Sequence, residues 1–281
     1  MPRHPKSGKV PASIRTLSQQ AIVWADRASQ KEQEHLMSTE LRIRSAARWV
    51  AAGAGLAAGA YATYVGVAWI RYGHPRPARR PDERDDLLGR FMPAYEVVER
   101  HHIRVAAPAA ITFAAAREMN LLQSPLVRAI VKGRELILGA TPDDRPRPRG
   151  LLAQMESLGW RVLPEAPGCE VVVGAVTQPW EPDVTFRSLP PDGFAAFSEP
   201  GYVKIAWTLR ADPINGVESI FRTETRAVAT DPVSRARFRR YWSFFSPGII
   251  VIRWALLGPL RREAERRYAE LQRDVDGYAH T

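Results

Sequence analysis

The residues best suited to chemistry are an acid flanked by two bases in the run RTETRA. Glu224 lies two positions from both Arg222 and Arg226. Because successive side chains of a strand point to opposite faces, residues two apart on the predicted strand Val217–Thr230 share one face. Glu224 and Arg226 there suit a polar ligand head, with Glu224 as a proton donor. Ordinary charge pairing across a sheet would use the same residues.

The histidines and the cysteine suggest neither a catalytic set nor a metal site. His101 and His102 are neighbours on a predicted strand, so they point to opposite faces and cannot bind one ion together. The remaining histidines lie in the tails or in a linker: His4, His35, His74 and His280. The single cysteine, Cys169, excludes an internal disulfide and a cysteine-based zinc site. We therefore predict no hydrolase-type catalytic residues, no metal and no cofactor.

The chain is basic, with 40 Lys and Arg against 30 Asp and Glu among 281 residues and a formal charge of +10. This balance favours an anionic partner. Nucleic acid is not expected, because the arginines are scattered and no helix-turn-helix, zinc-finger or aromatic sheet pattern is present. A helix lying on membrane lipid, or a solvated basic face, would explain one cluster next to Tyr241 and Trp242. That cluster consists of Arg235, Arg237, Arg239 and Arg240.

An uncharged run from Trp49 to Ile70 predicts a transmembrane helix over residues 49–71. Its 22 residues would span about 33 Å as a helix, and a bilayer core is roughly 30 Å thick. Trp49 and Trp69 would lie at the two interfaces. A cleaved signal peptide is not expected, because the run begins after 48 residues. Slightly more basic residues follow the run than precede it, which favours a single-pass protein with a cytoplasmic C-terminal domain.

The glycines of this run allow two interpretations. The letters GAGLAA from Gly53 fit a dinucleotide-binding pattern, but that pattern must leave a strand and open a helix, and here both flanks are apolar. Gly55 and Gly59 instead have the GxxxG spacing that lets two membrane helices approach closely. A homodimer through Gly55 and Gly59 is therefore one possibility, and small residues without any partner are the other.

Composition divides the rest of the chain around one folded domain. Residues 1–48 are basic and poor in large apolar side chains, which predicts a flexible tail. Residues 72–92 are rich in proline and charge and predict a semi-rigid linker. The folded domain is expected over residues 93–275, followed by a short tail at 276–281.

Within this domain the pattern predicts a strand, then helices, then strands. The opening strand is Val97–Ala107, and the helices that follow are Pro108–Glu118, Ser124–Leu136 and Leu151–Leu158. The later strands are Glu170–Val176, Asp183–Leu189, Phe194–Ser198, Tyr202–Ala211 and Val217–Thr230. The alternation in Tyr202–Ala211 is the most regular, and it places four apolar side chains on one buried face. They are Val203, Ile205, Trp207 and Leu209.

A long C-terminal helix is the expected cover for that face. Asp231 and Pro232 are typical of a helix N-terminus. Spacings of three and four then place aromatic side chains on one stripe, comprising Phe238, Tyr241, Trp242 and Phe245. Pro247 and Pro259 are expected to kink or break the helix.

Two motifs and this order of elements resemble the START-like, or helix-grip, superfamily (SRPBCC), which includes lipid-transfer proteins and polyketide cyclases. Ile103–Pro108, continuing to Ile111-Thr112-Phe113, resembles its opening pattern of a strand ending in Ala-Pro before a helix. Thr223–Arg226 followed by Phe238–Trp242 is similar to an uncharacterised bacterial branch. The resemblance covers roughly residues 93–268.

The resemblance implies an α+β fold in which a curved antiparallel sheet grips the long C-terminal helix around a cavity. The expected cavity residues are Val203, Ile205, Trp207, Leu209, Phe238, Trp242 and Phe245, although a filled core would use the same side chains. The expected function is a membrane-tethered binding protein for a hydrophobic small molecule. The alternatives are a cyclase or aromatase on the same fold, assisted by Glu224, and a non-binding scaffold near the membrane.

Overall fold

The computed structural model describes residues 42, 45, 47–78, 80–141 and 148–279, without the side chains of 122 and 276–279. Almost all of the predicted tail 1–48 lies outside this part of the chain. The chain divides into two compact units, residues 1–63 and residues 64–281. Helix α1, Ala47–Arg71, begins in the first unit and covers the whole of the predicted transmembrane segment 49–71.

Helix α1 is long and apolar enough to cross a membrane, and its most apolar stretch is exposed. The C-terminal helix also passes this test of length and composition, although about a fifth of its most apolar stretch (22%) is buried. In α1, a Cβ atom added at Gly55 or Gly59 would meet no other atom within 4 Å. Close approach of a second helix at these glycines stays a prediction.

In the second unit, the described residues include six strands that form one antiparallel sheet in the order β1-β6-β5-β3-β2, with β4 paired to β3. The strands are β1 (Val97–Val105), β2 (Arg161–Ala166), β3 (Glu170–Thr177), β4 (Phe186–Arg187), β5 (Val203–Pro213) and β6 (Ser219–Ala229). The helices after α1 are α2 (Asp86–Phe91), α3 (Ala109–Glu118), α4 (Pro125–Leu138), α5 (Leu151–Ser157), α6 (Pro191–Ala196) and α7 (Pro232–Ala279), with short 3-10 turns at Pro81–Glu83 and Leu121–Gln123.

One face of the sheet is covered by α3 and α7, and the apolar cluster between them includes Phe113, Trp207 and Leu260. The predicted architecture is confirmed, with an antiparallel sheet and a long C-terminal helix lying on it. Helix α7 continues through Pro247 and Pro259 without the break that was one of the two predicted outcomes, and the other outcome, a kink, stays a prediction. Burial of the helix against the sheet on both sides of the prolines favours its continuation, because it offsets the hydrogen bond that each proline removes.

The other face of the sheet carries a second apolar cluster, which corrects the predicted linker 72–92. Within that segment Asp85 caps α2 by accepting a hydrogen bond from the Leu88 backbone N–H at 2.7 Å. Leu88 and Met92 are fully buried in a cluster with Val172 and Phe194. The later part of the segment therefore belongs to the domain, because these apolar side chains cover the second face.

Three smaller boundaries also differ from the sequence predictions. The first three residues of the expected strand Phe194–Ser198 belong to α6, which starts with a proline at its first position, Pro191. Strand β2 was not expected and forms an edge of the sheet. The predicted tail 276–281 begins inside α7, which continues to Ala279.

Candidate functional site

A cavity of about 810 Å³ lies between the face of the sheet that α7 covers and α7 itself. The sheet contributes Ile205, Trp207 and Leu209 from β5, and Phe221, Thr223, Thr225 and Ala227 from β6. Helix α7 contributes Phe238, Tyr241, Trp242, Ile249, Ile252, Arg253, Leu256, Leu257 and Leu260. Side chains from α4, α5 and the segment 179–186 complete the wall. The space between sheet and helix is therefore not a filled core.

The structure brings five of the seven predicted cavity residues to this wall: Ile205, Trp207, Leu209, Phe238 and Trp242. The other two, Val203 and Phe245, lie outside it. Val203 is fully buried in an adjoining apolar cluster, and the Phe245 ring stacks on Tyr241 at 4.9 Å. Alternation along a strand predicts the face of a side chain but not where along the strand the cavity ends. Contact of any of these residues with a ligand stays a prediction.

Glu224 and Arg226 lie on the opposite face of the sheet, so they are not positioned as polar contacts for a ligand in this cavity. The odd-numbered residues of β6, Phe221 to Ala227, line the cavity. Since strand side chains alternate, Glu224 and Arg226 point away from it. Strand alternation had placed these two on one face correctly, but it could not say which face α7 covers.

Glu224 is instead the centre of a buried ion-pair network. Its carboxylate accepts hydrogen bonds from Arg100 Nε at 2.8 Å and from Arg226 Nε at 2.7 Å. Arg226 Nη1 also donates to the Met92 carbonyl at 2.8 Å, and its guanidinium lies 4.6 Å from the centre of the Tyr95 ring. These contacts fix the segment before β1 against the second face of the sheet, which is a structural role.

Arg253 is the polar residue of the cavity that the sequence analysis missed. Its Nη1 donates a hydrogen bond to Thr223 Oγ1 at 3.0 Å, and its guanidinium lies 5.8 Å from the centre of the Trp207 ring. Burial lowers the pKa of Arg253 to about 10, and the Glu99 carboxylate opposes this effect. The signal was available, because Arg253 is the one charged residue between Tyr241 and Leu260.

The sheet next to Arg253 carries polar groups that lack partners. His101 pairs with Thr223 in the strand register and is buried. Neither ring nitrogen of His101, nor the hydroxyl of Thr225, has a hydrogen-bond partner in the part of the chain that the structure describes. Burial, together with the positive charge of Arg253 and the neighbouring His102, lowers the pKa of His101 to about 4. His101 is therefore neutral at physiological pH.

A second cavity, of about 500 Å³, lies beside β1, and its lining combines charged side chains such as Arg100, Arg222 and Glu224 with apolar ones. Several of the charged side chains are already paired within the fold, as Arg100 is with Glu224. This cavity is less suited to an apolar ligand than the one beneath α7, because an apolar ligand would desolvate charged groups without pairing them.

The element order, the antiparallel sheet and the long helix that closes a cavity against it are those that the sequence resemblance implies. The domain has a START-like, helix-grip fold. No protein-family model and no curated protein matches the chain.

Several solved structures are similar to this START-like domain at a distance. A conserved protein from Geobacillus kaustophilus is 11% identical, with a TM-score of 0.26, 62% of this chain covered and 96% of that one. A START superfamily protein from Mycobacterium smegmatis is 12% identical, with a TM-score of 0.26 and coverages of 62% and 98%. The Zhui aromatase/cyclase from Streptomyces sp. R1128 is 16% identical, with a TM-score of 0.21 and coverages of 61% and 94%. Likeness this distant does not indicate what the present chain binds.

Proposed function

We propose that the START-like domain holds a hydrophobic small molecule, lipid or polyketide-like, in the cavity beneath α7. The observation that carries this proposal is the size and lining of that space. Its volume of about 810 Å³ lies within the roughly 300–1,000 Å³ typical of small-molecule sites. Most of its wall is aliphatic or aromatic, and burying an apolar ligand there removes apolar surface from water.

Binding is favoured over catalysis by the position of the acidic groups. Glu224, the residue on which a cyclase mechanism would depend, points away from the cavity. Of the carboxylates that do line it among the described residues, Asp183 accepts a hydrogen bond from the Thr141 backbone N–H at 2.8 Å. The other carboxylate is that of Glu135, and its Oε2 lies 3.6 Å from Nζ of Lys132. Neither carboxylate is both buried and free to serve as a general acid.

The test measures whether the purified protein contains a bound hydrophobic compound and whether that compound occupies the cavity beneath α7. Full-length protein purified in detergent should yield a hydrophobic compound, near one per chain, on extraction with organic solvent and mass spectrometry. The double variant Ile249→Trp with Leu256→Trp places two indole rings in the cavity and should lower the yield about tenfold, because the added side-chain volume displaces the compound.

The matched control places two tryptophans at exposed positions of the same helix, Val233→Trp with Val251→Trp. It should keep the full yield of compound. A wild-type protein that carries nothing and binds no added lipid would contradict the proposal. Equal yields from the cavity variant and the control would place the compound elsewhere.

We also propose that α1 tethers this domain to a membrane in a single pass, with the domain on the cytoplasmic side. The exposure of the apolar stretch of α1 supports the tether, because a soluble protein rarely exposes so long an apolar helix. The slight excess of basic residues after the span supports the orientation. The predicted lipid-binding arginines add little, since Arg235 pairs with Glu96 at 2.6 Å and Arg239 donates to the Trp69 carbonyl at 2.9 Å.

Substitution of Ala57, near the middle of α1, tests the tether. Arginine there should add about 2.5–3.5 kcal/mol to the free energy of insertion. Carbonate extraction of membranes should therefore move a large share of Ala57→Arg into the soluble or aggregated fraction. The control Ala129→Arg, also at an exposed helical alanine, should stay with the membrane like the wild type. A wild-type protein that is itself extracted by carbonate would show that α1 does not span.

A further inference from the structure

We infer that the cavity selects an amphipathic ligand with an anionic carboxylate head, and that Arg253 binds that head. The inference rests on the proposed function, since it names the chemical class of the molecule that the cavity would hold. Nothing in the sequence pattern of β5 or of the aromatic stripe on α7 implies a charged ligand. The hydrogen bonds around Arg253 are the reason to expect an anionic head.

The guanidinium of Arg253 has far more hydrogen-bonding capacity than the protein uses. An arginine side chain has five N–H donors, and the one protein hydrogen bond that Arg253 makes within the described chain is the one to Thr223 Oγ1. No described carboxylate has an oxygen within 4.0 Å of its nitrogens, although Glu99 lies near enough to affect its pKa. Arg253 is half-buried, and a guanidinium that faces a largely apolar cavity with so few partners is costly unless something else pairs with it.

The other cation at the cavity wall is differently placed. Arg134 donates from Nε to the Tyr241 hydroxyl at 3.2 Å. Its Nη2 donates to the Pro179 carbonyl at 3.0 Å and to the Glu181 carbonyl at 3.2 Å. Because these hydrogen bonds already use the Nε and Nη2 donors of Arg134, an anionic group could form more new hydrogen bonds with Arg253.

A hydroxyl group near Arg253 also lacks a hydrogen-bond partner in the described chain. The Thr225 hydroxyl lines the cavity, is buried and has no hydrogen-bond partner in the described chain. Thr225 lies two residues from Thr223 on the same face of β6, so both hydroxyls lie on the wall that receives Arg253. A carboxylate has two oxygens and can accept from a guanidinium and a hydroxyl together.

The groups around Arg253 do not reverse this preference. Neutral His101 adds no second positive charge, and the Glu99 side chain lines the second cavity rather than this one. The rest of the wall is mostly apolar and includes side chains such as Met155, Leu209 and Leu260. The arrangement fits one acidic head and a long apolar body, as in a long-chain fatty acid.

Binding of two matched probes tests the inference. The full-length chain, immobilised in detergent micelles, is equilibrated with radiolabelled oleic acid or oleyl alcohol, which share one apolar body and differ in the head. The wild type should bind the acid at least about tenfold more tightly than the alcohol, as expected for a charged hydrogen bond. Probe partitioning into micelles cancels when wild type and variants are compared.

In Arg253→Met the affinity for the acid should fall about tenfold, while the affinity for the alcohol changes less than about twofold. Arg253→Lys should retain part of the preference, because it keeps the charge but not the planar fork of donors. A wild type that binds acid and alcohol equally overturns the inference. So does an Arg253→Met variant that loses both probes, which would indicate a structural role. If neither probe binds the wild type, it is the proposed function that fails.

Discussion

Replacement of Glu224 by alanine should lower the free energy of unfolding by about 3–5 kcal/mol, the usual cost of removing one partner from a buried ion pair. The carboxylate accepts hydrogen bonds from Arg100 and Arg226, and Arg226 is itself buried. Without Glu224, the Arg226 guanidinium stays in a poorly hydrated position with no carboxylate. Urea denaturation of the full chain in detergent, followed by near-ultraviolet circular dichroism, measures the change.

The control for this effect removes the buried cation as well. Glu224→Met combined with Arg226→Met replaces the pair by apolar side chains of similar length and should recover much of the stability, because such replacements are often neutral. Ligand binding should be unaffected in variants that remain folded, since both residues point away from the cavity. A Glu224→Ala variant as stable as the wild type, or one that loses probe binding while folded, would contradict the structural role.

Leu88→Ala should cost about 2–5 kcal/mol, as expected for a large apolar side chain truncated in a core. Leu88 is fully buried (0% exposed) and packs in the cluster that includes Phe194. The same denaturation measurement compares it with Arg90→Ala, an exposed residue of the same helix, which should change the stability by less than about 0.5 kcal/mol. Equal, small effects of the two substitutions would mean that this segment is the spacer its composition suggests.

The sequence predicted those elements in which apolar residues recur at a regular spacing. The alternation in β5 and the three-and-four spacing at the start of α7 identified the strand, the helix and part of the wall between them. Both patterns arise because one face of an element is buried and the other is not. These patterns predict which side chains point inward, and for that reason five of the seven predicted residues line the cavity.

The second face of the sheet was missed because its signal is of a different kind. Strand β3 is buried on both faces from Val171 to Thr177. An unbroken apolar run such as VVVGAV predicts that both faces are covered. The cover of this face includes the short helices α2 and α6, and the six residues of each are too few to show a helical period. The ion-pair network at Glu224 depends on this cover, so its role could not be predicted either.

Arg253 illustrates the limit of a sequence argument about a site. A lone charge in an apolar helix is visible in the sequence, but whether it points to solvent, to a carboxylate or into a cavity depends on the rotation of the helix and on residues more than twenty positions away. The hydrogen bond to Thr223, a residue of the cavity wall, shows that Arg253 points toward the cavity. That contact joins two elements whose relative register no local pattern fixes.

The three hydrogen bonds of Arg134 bear on how fast the cavity can exchange its contents. They tie α4 to the carbonyls of Pro179 and Glu181 and to the Tyr241 hydroxyl on α7. A molecule passing between these elements would have to break all three together. If the proposed ligand passes through this wall, its exchange is expected to be limited by the protein's own fluctuations rather than by diffusional encounter, which would give long residence times even at modest affinity.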